Sequence, residues 1–190
     1  ENRIKPGDEI LTPAVTWSTT VYSILNTGAI AVLVDFTEDF LMDIEKMKEM
    51  ITPKTKAIMP VHLLGNPCDM KAIMDVAHDK KLFVVEDCCE AHGAECAGKK
   101  VGSFGDFSAF SLFFSHHIST IEGGMVLTSN PDLADLSRVL RAHGWSRDSA
   151  RKKEVAKQFP SLDPRFTFIN YGFNLRPTEL QGAMGIHQIK

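Results

Sequence analysis

The chain has 190 residues, 44% hydrophobic and 24% charged, with a net charge of −3. That balance fits one globular domain with a substantial core, or one domain plus a fragment. It gives no basis for binding nucleic acid or an anionic membrane surface. No apolar run reaches transmembrane length, and cytoplasmic residence is the default expectation. The four cysteines, Cys68, Cys88, Cys89 and Cys96, match no zinc-ribbon or finger spacing. Cys88 and Cys89 at a strand end would point to opposite faces, and all four read as reduced thiols.

In chain order, residues 1–10 read as an internal turn running into a strand, Glu9 to Val15, broken near Pro13. Thr16 to Asn26 carries a helical pattern that Gly28 ends. Ala29 to Asp35 is an almost wholly apolar strand of the kind buried on both faces of a parallel sheet. A short amphipathic helix from Asp43 to Ile51 precedes a strand from Ala57 to His62. Asp69 to Lys80 is helical, acidic at its start and basic at its end as the helix dipole favours. The Leu82–Asp87 strand follows, then a glycine-punctuated hairpin from Gly93 to Gly105, a strand from Phe107 to Phe114 and another from Gly124 to Thr128. Asn130 and Pro131 open a helix that runs to His143. Trp145 to Pro164 is polar and weakly periodic and reads as a loop, and Thr178 to Lys190 is helical again. Strands alternating with helices argue an α/β layered fold around a mostly parallel sheet.

Two stretches carry the functional signal. Phe104 to Met125 reads FGDFSAFSLFFSHHISTIEGGM, a strand that delivers Ser115, His116 and His117 into a segment closing on Glu122-Gly123-Gly124. Upstream, Leu82 to Asp87 is an apolar strand ending in two carboxylates. Ligands in α/β sheets sit at such strand ends. Asp87 is a solvated terminal carboxylate or the partner of a protonated ring nitrogen, as pyridoxal phosphate enzymes require of an aspartate. Trp17 is core or an aromatic face stacked on a flat ring. Ser111 bonds the backbone or holds a phosphate. The His116-His117 tandem has no ligand at the spacing that would complete a metal site, so no metal is expected, and His117 reads as structural or solvated.

Taken together, the order Thr16-Trp17, Glu86-Asp87-Cys88-Cys89-Glu90-Ala91-His92-Gly93-Ala94, Gly98 to Asp106, Phe110-Ser111, Glu122-Gly123-Gly124 and Gly172 to Gln181 resembles the sugar aminotransferases of the DegT/DnrJ/EryC1/StrS group. These are fold-type I pyridoxal phosphate proteins, aspartate aminotransferase-like, with a mostly parallel sheet between helices in three layers. The resemblance covers essentially the whole chain. It implies that residues 1–190 are the central part of the cofactor-binding large domain, without the upstream phosphate-loop segment and the small C-terminal domain. It further implies that Asp87 pairs with the pyridine nitrogen, Trp17 stacks on the ring and Ser111 binds the phosphate. Asn174 would reach the phosphate site of a neighbouring subunit in a homodimer, and Glu90 falls where many members carry a glutamine near the cofactor hydroxyl.

One departure sets the expected chemistry. Five residues after the phosphate serine, the aminotransferases carry the lysine that forms an imine with the cofactor; this chain has His116. Imidazole has no primary amine for that bond. A histidine there resembles the sugar 3-dehydratase branch, in which pyridoxamine phosphate is bound without a covalent link and the histidine moves protons while the C3 hydroxyl of a nucleotide-linked 4-keto-6-deoxyhexose is expelled. With an ordinary pKa near 6.5, histidine serves as base and then acid at neutral pH. No cysteine follows Gly144, so no cysteine-ligated iron–sulfur cluster can be built there. The pattern resembles instead the dehydratases that regenerate the amine cofactor with L-glutamate. The alternatives are a nucleotide-sugar aminotransferase that meets the lysine's role differently, and a catalytically silent homologue.

Overall fold

The computed structural model describes residues 4–189, which form two compact units, residues 4–127 and 128–189. In the first unit β1 (Glu9–Pro13), α1 (Ser18–Leu25), β2 (Ile30–Val34), α2 (Ile44–Glu49) and β3 (Thr55–Ile58) are followed by α3 (Met70–Lys80) and β4 (Phe83–Asp87). The hairpin strands β5 (Glu95–Cys96) and β6 (Lys99–Lys100) precede β7 (Phe107–Ser111) and β8 (Gly124–Leu127). The main sheet has six strands in the order β2-β1-β3-β4-β7-β8. All neighbours are parallel except β7 and β8, which are antiparallel.

Because side chains alternate across a strand, each strand feeds two cores. Leu11, Val34, Ile58 and Val84 cluster with Met47 of α2 and with Met70, Ile73 and Ala77 of α3. Their neighbours Ile10 and Ala57 cluster instead with Ile24 of α1 and with Ala29. Helices therefore cover both faces, the three-layer arrangement expected for parallel strands. Each fully buried Leu, Ile or Met contributes roughly 1.5–3 kcal/mol relative to exposure. The helices start where their caps stand. Asp43 accepts from the backbone N–H groups of Glu45 and Lys46, and Asp69 from that of Ala72. The hairpin turns at Ala97 and Gly98, both at positive φ (50° and 78°), the mirror-image turn that fits strand twist.

Three expectations need correction. β2 is an edge strand, so Ile30 and Leu33 are exposed rather than buried on both faces. β7 stops at Ser111, and Leu112 to Phe114 leave the sheet; of the strand only Ser108 is fully buried. Trp145 to Pro164 is not a loop throughout: α5 (Lys152–Gln158) lies within it. It buries only Val155, and a single apolar residue among good helix formers leaves no periodicity to read.

The second unit also holds α4 (Pro131–Leu140), capped by the Asn130 side chain, and α6 (Glu179–Gln188). Thr178 and Gln181 form a reciprocal capping box at the start of α6. The expected helix end at Lys190 lies outside the described residues.

Beyond β4 the fold is fastened by one carboxylate. Glu86 is 0% exposed. Its Oε1 accepts from the N–H groups of Phe104 (2.8 Å) and Gly105 (2.7 Å), and its Oε2 from that of Gly102 (2.7 Å). His62 lies 3.3 Å from Oε2 through Nε2. The His62 Nδ1 accepts from the Cys68 N–H, which places the ring proton on Nε2, facing the carboxylate. Gly105 lets the loop come this close, since a Cβ there would meet the Val84 carbonyl oxygen at 2.6 Å. Burial pushes the Glu86 carboxyl up, but His62 and the three N–H groups outweigh it and hold it below its ordinary value.

Glu86→Leu should therefore cost about 3–5 kcal/mol, because it strands three backbone N–H groups and the buried Nε2–H of His62. With its folded-state pKa depressed, Glu86 contributes stability that is complete above its ordinary value of 4.5 and is lost as pH falls through the lowered folded value. Urea unfolding of wild type and variant, repeated down an acid series, checks both: the gap between the two curves should narrow only in acid.

Candidate active site

Glu86 and Asp87 are neighbours on β4 and so face opposite sides of the sheet. Glu86 shares its side with Val84, toward α3; Asp87 shares the α1 side with Phe83. Asp87 is 9% exposed. Its Oδ2 accepts from the Thr20 hydroxyl on α1 (2.8 Å), and its Oδ1 from the Cys89 N–H (3.1 Å). Thr20 in turn lies 2.9 Å from the Thr16 hydroxyl. Both donors to Asp87 are neutral, and among the described residues no salt bridge to it is formed. A buried carboxylate with only neutral donors is chemically suited to a cationic N–H.

Trp17 occupies the N-cap position of α1, less than one turn before Thr20, and its indole is 76% exposed. A core role is thus excluded for Trp17. Ser111 ends β7, the strand beside β4. The register pairs Asp87 with Ala109, so Ser111, two residues on, faces the same side as Asp87. The Ser111 Oγ accepts from the Phe113 N–H (3.1 Å), and its own proton is left for an acceptor. Asp87, Ser111 and the start of α1 therefore share one face at the carboxyl ends of adjacent parallel strands. The set offers a buried anion, an exposed indole and a hydroxyl, groups that could hold a pyridine ring carrying a phosphate.

His116 is half-buried in the turn after β7, where its N–H donates to the Phe113 carbonyl (3.1 Å). Its Nδ1 is buried without a hydrogen-bond partner. Glu90 accepts from the Leu64 N–H (2.8 Å) and so holds the tight turn Leu63–Gly65, in which Leu64 has φ 51°. Asn174 lies in the second unit, where its Oδ1 accepts from the Arg176 guanidinium (3.1 Å) and its backbone bridges Ala142.

Among the described residues, His62, Glu86 and Cys88 are the group whose ligand atoms lie close enough to hold a metal ion. The Glu86 oxygens already accept from four protein donors, and burial pushes the Cys88 thiol up, away from the thiolate a metal requires. The cluster is a structural knot. Burial likewise pushes the Cys68 thiol up to about 12, and burial then Asp87 raise that of Cys89. All four cysteines are free.

Sequence reasoning missed Thr20, the anchoring role of Glu86 with His62, and the setting of His92 beside the His117 ring. Strand alternation could have separated Glu86 from Asp87. Nothing local marks Thr20 as a donor to a residue 67 positions away.

The sequence profile of the DegT/DnrJ/EryC1/StrS aminotransferase family matches residues 2–190. The chain is 44% identical over 192 residues to a GDP-4-keto-6-deoxy-D-mannose 3-dehydratase of Yersinia pseudotuberculosis, covering 99% of this chain and 49% of that protein. It is 43% identical to a GDP-perosamine synthase of Caulobacter vibrioides, over 98% of this chain and 47% of that one. A crystal structure of a GDP-4-keto-6-deoxymannose-3-dehydratase with a trapped PLP–glutamate geminal diamine superposes with a TM-score of 0.89 at 40% identity, over 97% of this chain and 49% of that one. The chain thus spans about half the length of the relatives it matches, and its α/β fold is that of the pyridoxal phosphate-dependent aminotransferase-like proteins. It belongs to the DegT/DnrJ/EryC1/StrS aminotransferase family.

Proposed function

We propose that this chain is the central part of the large domain of a 3-dehydratase that uses pyridoxal and pyridoxamine phosphate. Its substrate class is a nucleotide-linked 4-keto-6-deoxyhexose, with GDP favoured by the likeness to the Yersinia protein. The observation that carries the reading is His116: it stands where the family's imine lysine belongs, while Asp87 and Ser111, which the resemblance assigns to the same cofactor, share one face of the sheet. The aminotransferase reading has the Caulobacter likeness behind it but no lysine at position 116.

When bound, the cofactor supplies an electron sink and, in its amine form, the amino group that engages the sugar ketone. The chain's residues do the rest. Asp87 keeps the ring nitrogen protonated and is itself oriented by Thr20 and the Cys89 N–H. Trp17 covers the ring face, and the Ser111 hydroxyl donates to the phosphate. His116 takes a proton near the reacting carbon and returns it to the departing C3 oxygen. Glu90, held to Leu64 through one oxygen, has its other oxygen for the ring hydroxyl.

Asn174 serves the phosphate site of a second subunit. The exposure of Tyr171, Phe173 and Leu175 around it supports a homodimer with shared sites. L-glutamate restores the amine form, as the adduct in the related structure supports. No helix among the described residues is long and apolar enough to cross a membrane, and we place the enzyme in the cytoplasm, in deoxysugar synthesis for surface polysaccharide.

The test is spectroscopic, on the whole protein loaded with pyridoxal phosphate. The absorption band should stay at the free-aldehyde position, resist fixation by borohydride, and convert to the amine form on adding L-glutamate. His116→Lys should make the cofactor reducible onto the protein. Borohydride fixation in the wild type would return the aminotransferase reading, and no cofactor uptake would favour a silent homologue.

Asp87→Asn should slow the glutamate half-reaction by at least about tenfold, since a hydrogen bond to a charged group contributes roughly 1.5–3 kcal/mol. Stopped-flow absorbance reads that rate; a change under about twofold would remove Asp87 from the ring nitrogen.

A further inference from the structure

Outside the residues already assigned, the most unusual side chain is His92. It follows the Asp87 strand by five residues, and both its ring nitrogens are buried without a hydrogen-bond partner. Native proteins rarely leave such atoms unpaired. Its surroundings are aromatic: the ring meets Phe110 edge-on at 5.3 Å between centroids and lies 5.7 Å from the ring of His117. Burial first, then His117 and His116, hold its pKa below the ordinary value. Those two histidines are the titratable neighbours that act on it.

The faces matter here. Phe110 precedes Ser111 on β7 and therefore faces the side opposite to Ser111 and Asp87. It packs over Gly102, where a Cβ would meet the Phe110 ring at 2.6 Å, and against the cluster of Cys88, Ala91 and Val101. His92 is thus seated on a fixed platform on the far side of the strand from the cofactor residues, and the His117 ring rests against it.

We infer that His92 is a positioning residue: an aromatic wedge on Phe110 that holds the His117 ring on the far side of β7 and thereby fixes the turn that carries His116. The inference deepens the dehydratase reading and rests on it for the role of His116. The wedge acts through the shape of its ring, since among the described residues neither nitrogen has a hydrogen-bond partner. A turn with two adjacent imidazoles otherwise has two ways to present one of them, and a misplacement of about 1 Å at a reacting centre costs on the order of a hundredfold.

The experiment compares wild type, His92→Ala and His92→Phe in the whole, cofactor-loaded protein, by kinetics and by NMR of the histidine rings. In the wild type the His92 ring should show proton contacts with both Phe110 and His117 and should titrate below 6.5. His92→Ala should lower kcat by about ten- to a hundredfold with KM within about twofold, since substrate binding is untouched while the acid/base group is misplaced. It should also release the His117 ring from its single position. His92→Phe should keep kcat within about threefold of wild type, because the aromatic wedge remains.

An unchanged kcat in His92→Ala overturns the proposal. So does a His92→Phe variant as impaired as His92→Ala while still folded by circular dichroism, which would show that a ring nitrogen is what the site uses. Absence of the His92–His117 contact in the wild type overturns it without any kinetics. A wild type that shows the contact but gives no conversion with L-glutamate defeats the dehydratase reading instead and leaves the wedge standing as a feature of the fold.

Discussion

The structure turns on a buried carboxylate that never meets solvent. Glu86 collects three backbone N–H groups from the segment Gly102–Gly105 and the Nε2 proton of His62. Those bonds tie β4 to the turn after β3 on one side and to the entry of β7 on the other. Asp106 reinforces the second tie, its carboxylate accepting from the Val84 N–H and its own N–H donating to the Val84 carbonyl. The register that sets Asp87 opposite Ala109, and so brings Ser111 to the Asp87 face, depends on this fastening. A charge buried this deeply is tolerable only because every lone pair is answered.

Adjacent carboxylates with opposite fates are a direct consequence of pleating. Glu86 points into protein and is saturated by protein; Asp87 points to the α1 side and receives only a hydroxyl and one amide. The first has its acceptor capacity filled by the fold, and the second could still take a positively charged donor. That distinction, a matter of which donors are present, separates structure from function here better than burial does, since both groups are buried. It also disposes of the metal reading of His62, Glu86 and Cys88, whose proximity reflects a completed hydrogen-bond network.

Much of this was legible in the sequence. The apolar runs located the strands, though β3 and β7 end three or four residues before the expected bounds, and Asp43, Asp69 and Asn130 marked three helix starts that the caps confirm. What escaped was non-local. Ile30 and Leu33 look buried until β2 proves to be an edge. Lys152–Gln158 has helical propensity but one buried side chain, Val155, so no stripe betrays it. The resemblance assigned roles to Asp87, Ser111 and Trp17, and of these the register sets Asp87 and Ser111 on one face. No spacing rule could have found Thr20, because its partner is set by how α1 lies on the sheet.

Glu90 shows how far such reading extends. The resemblance put it where many family members carry glutamine, which leaves open why a charged residue is tolerated. The structure gives a reason: one carboxylate oxygen accepts the N–H of Leu64, a residue at φ 51°, and thereby holds a strained turn between His62 and the third helix. Gly65 in that turn passes close to the Glu90 backbone, since a Cβ would meet its carbonyl oxygen at 3.3 Å. The turn itself is pinned through His62 to Glu86. An amide oxygen accepts that N–H as a carboxylate does, so glutamate and glutamine are interchangeable for the fold at this position. They differ in what the second terminal atom offers to a neighbour: an acceptor from glutamate, a donor from glutamine. The bond to Leu64 is therefore indifferent to which of the two residues stands at position 90.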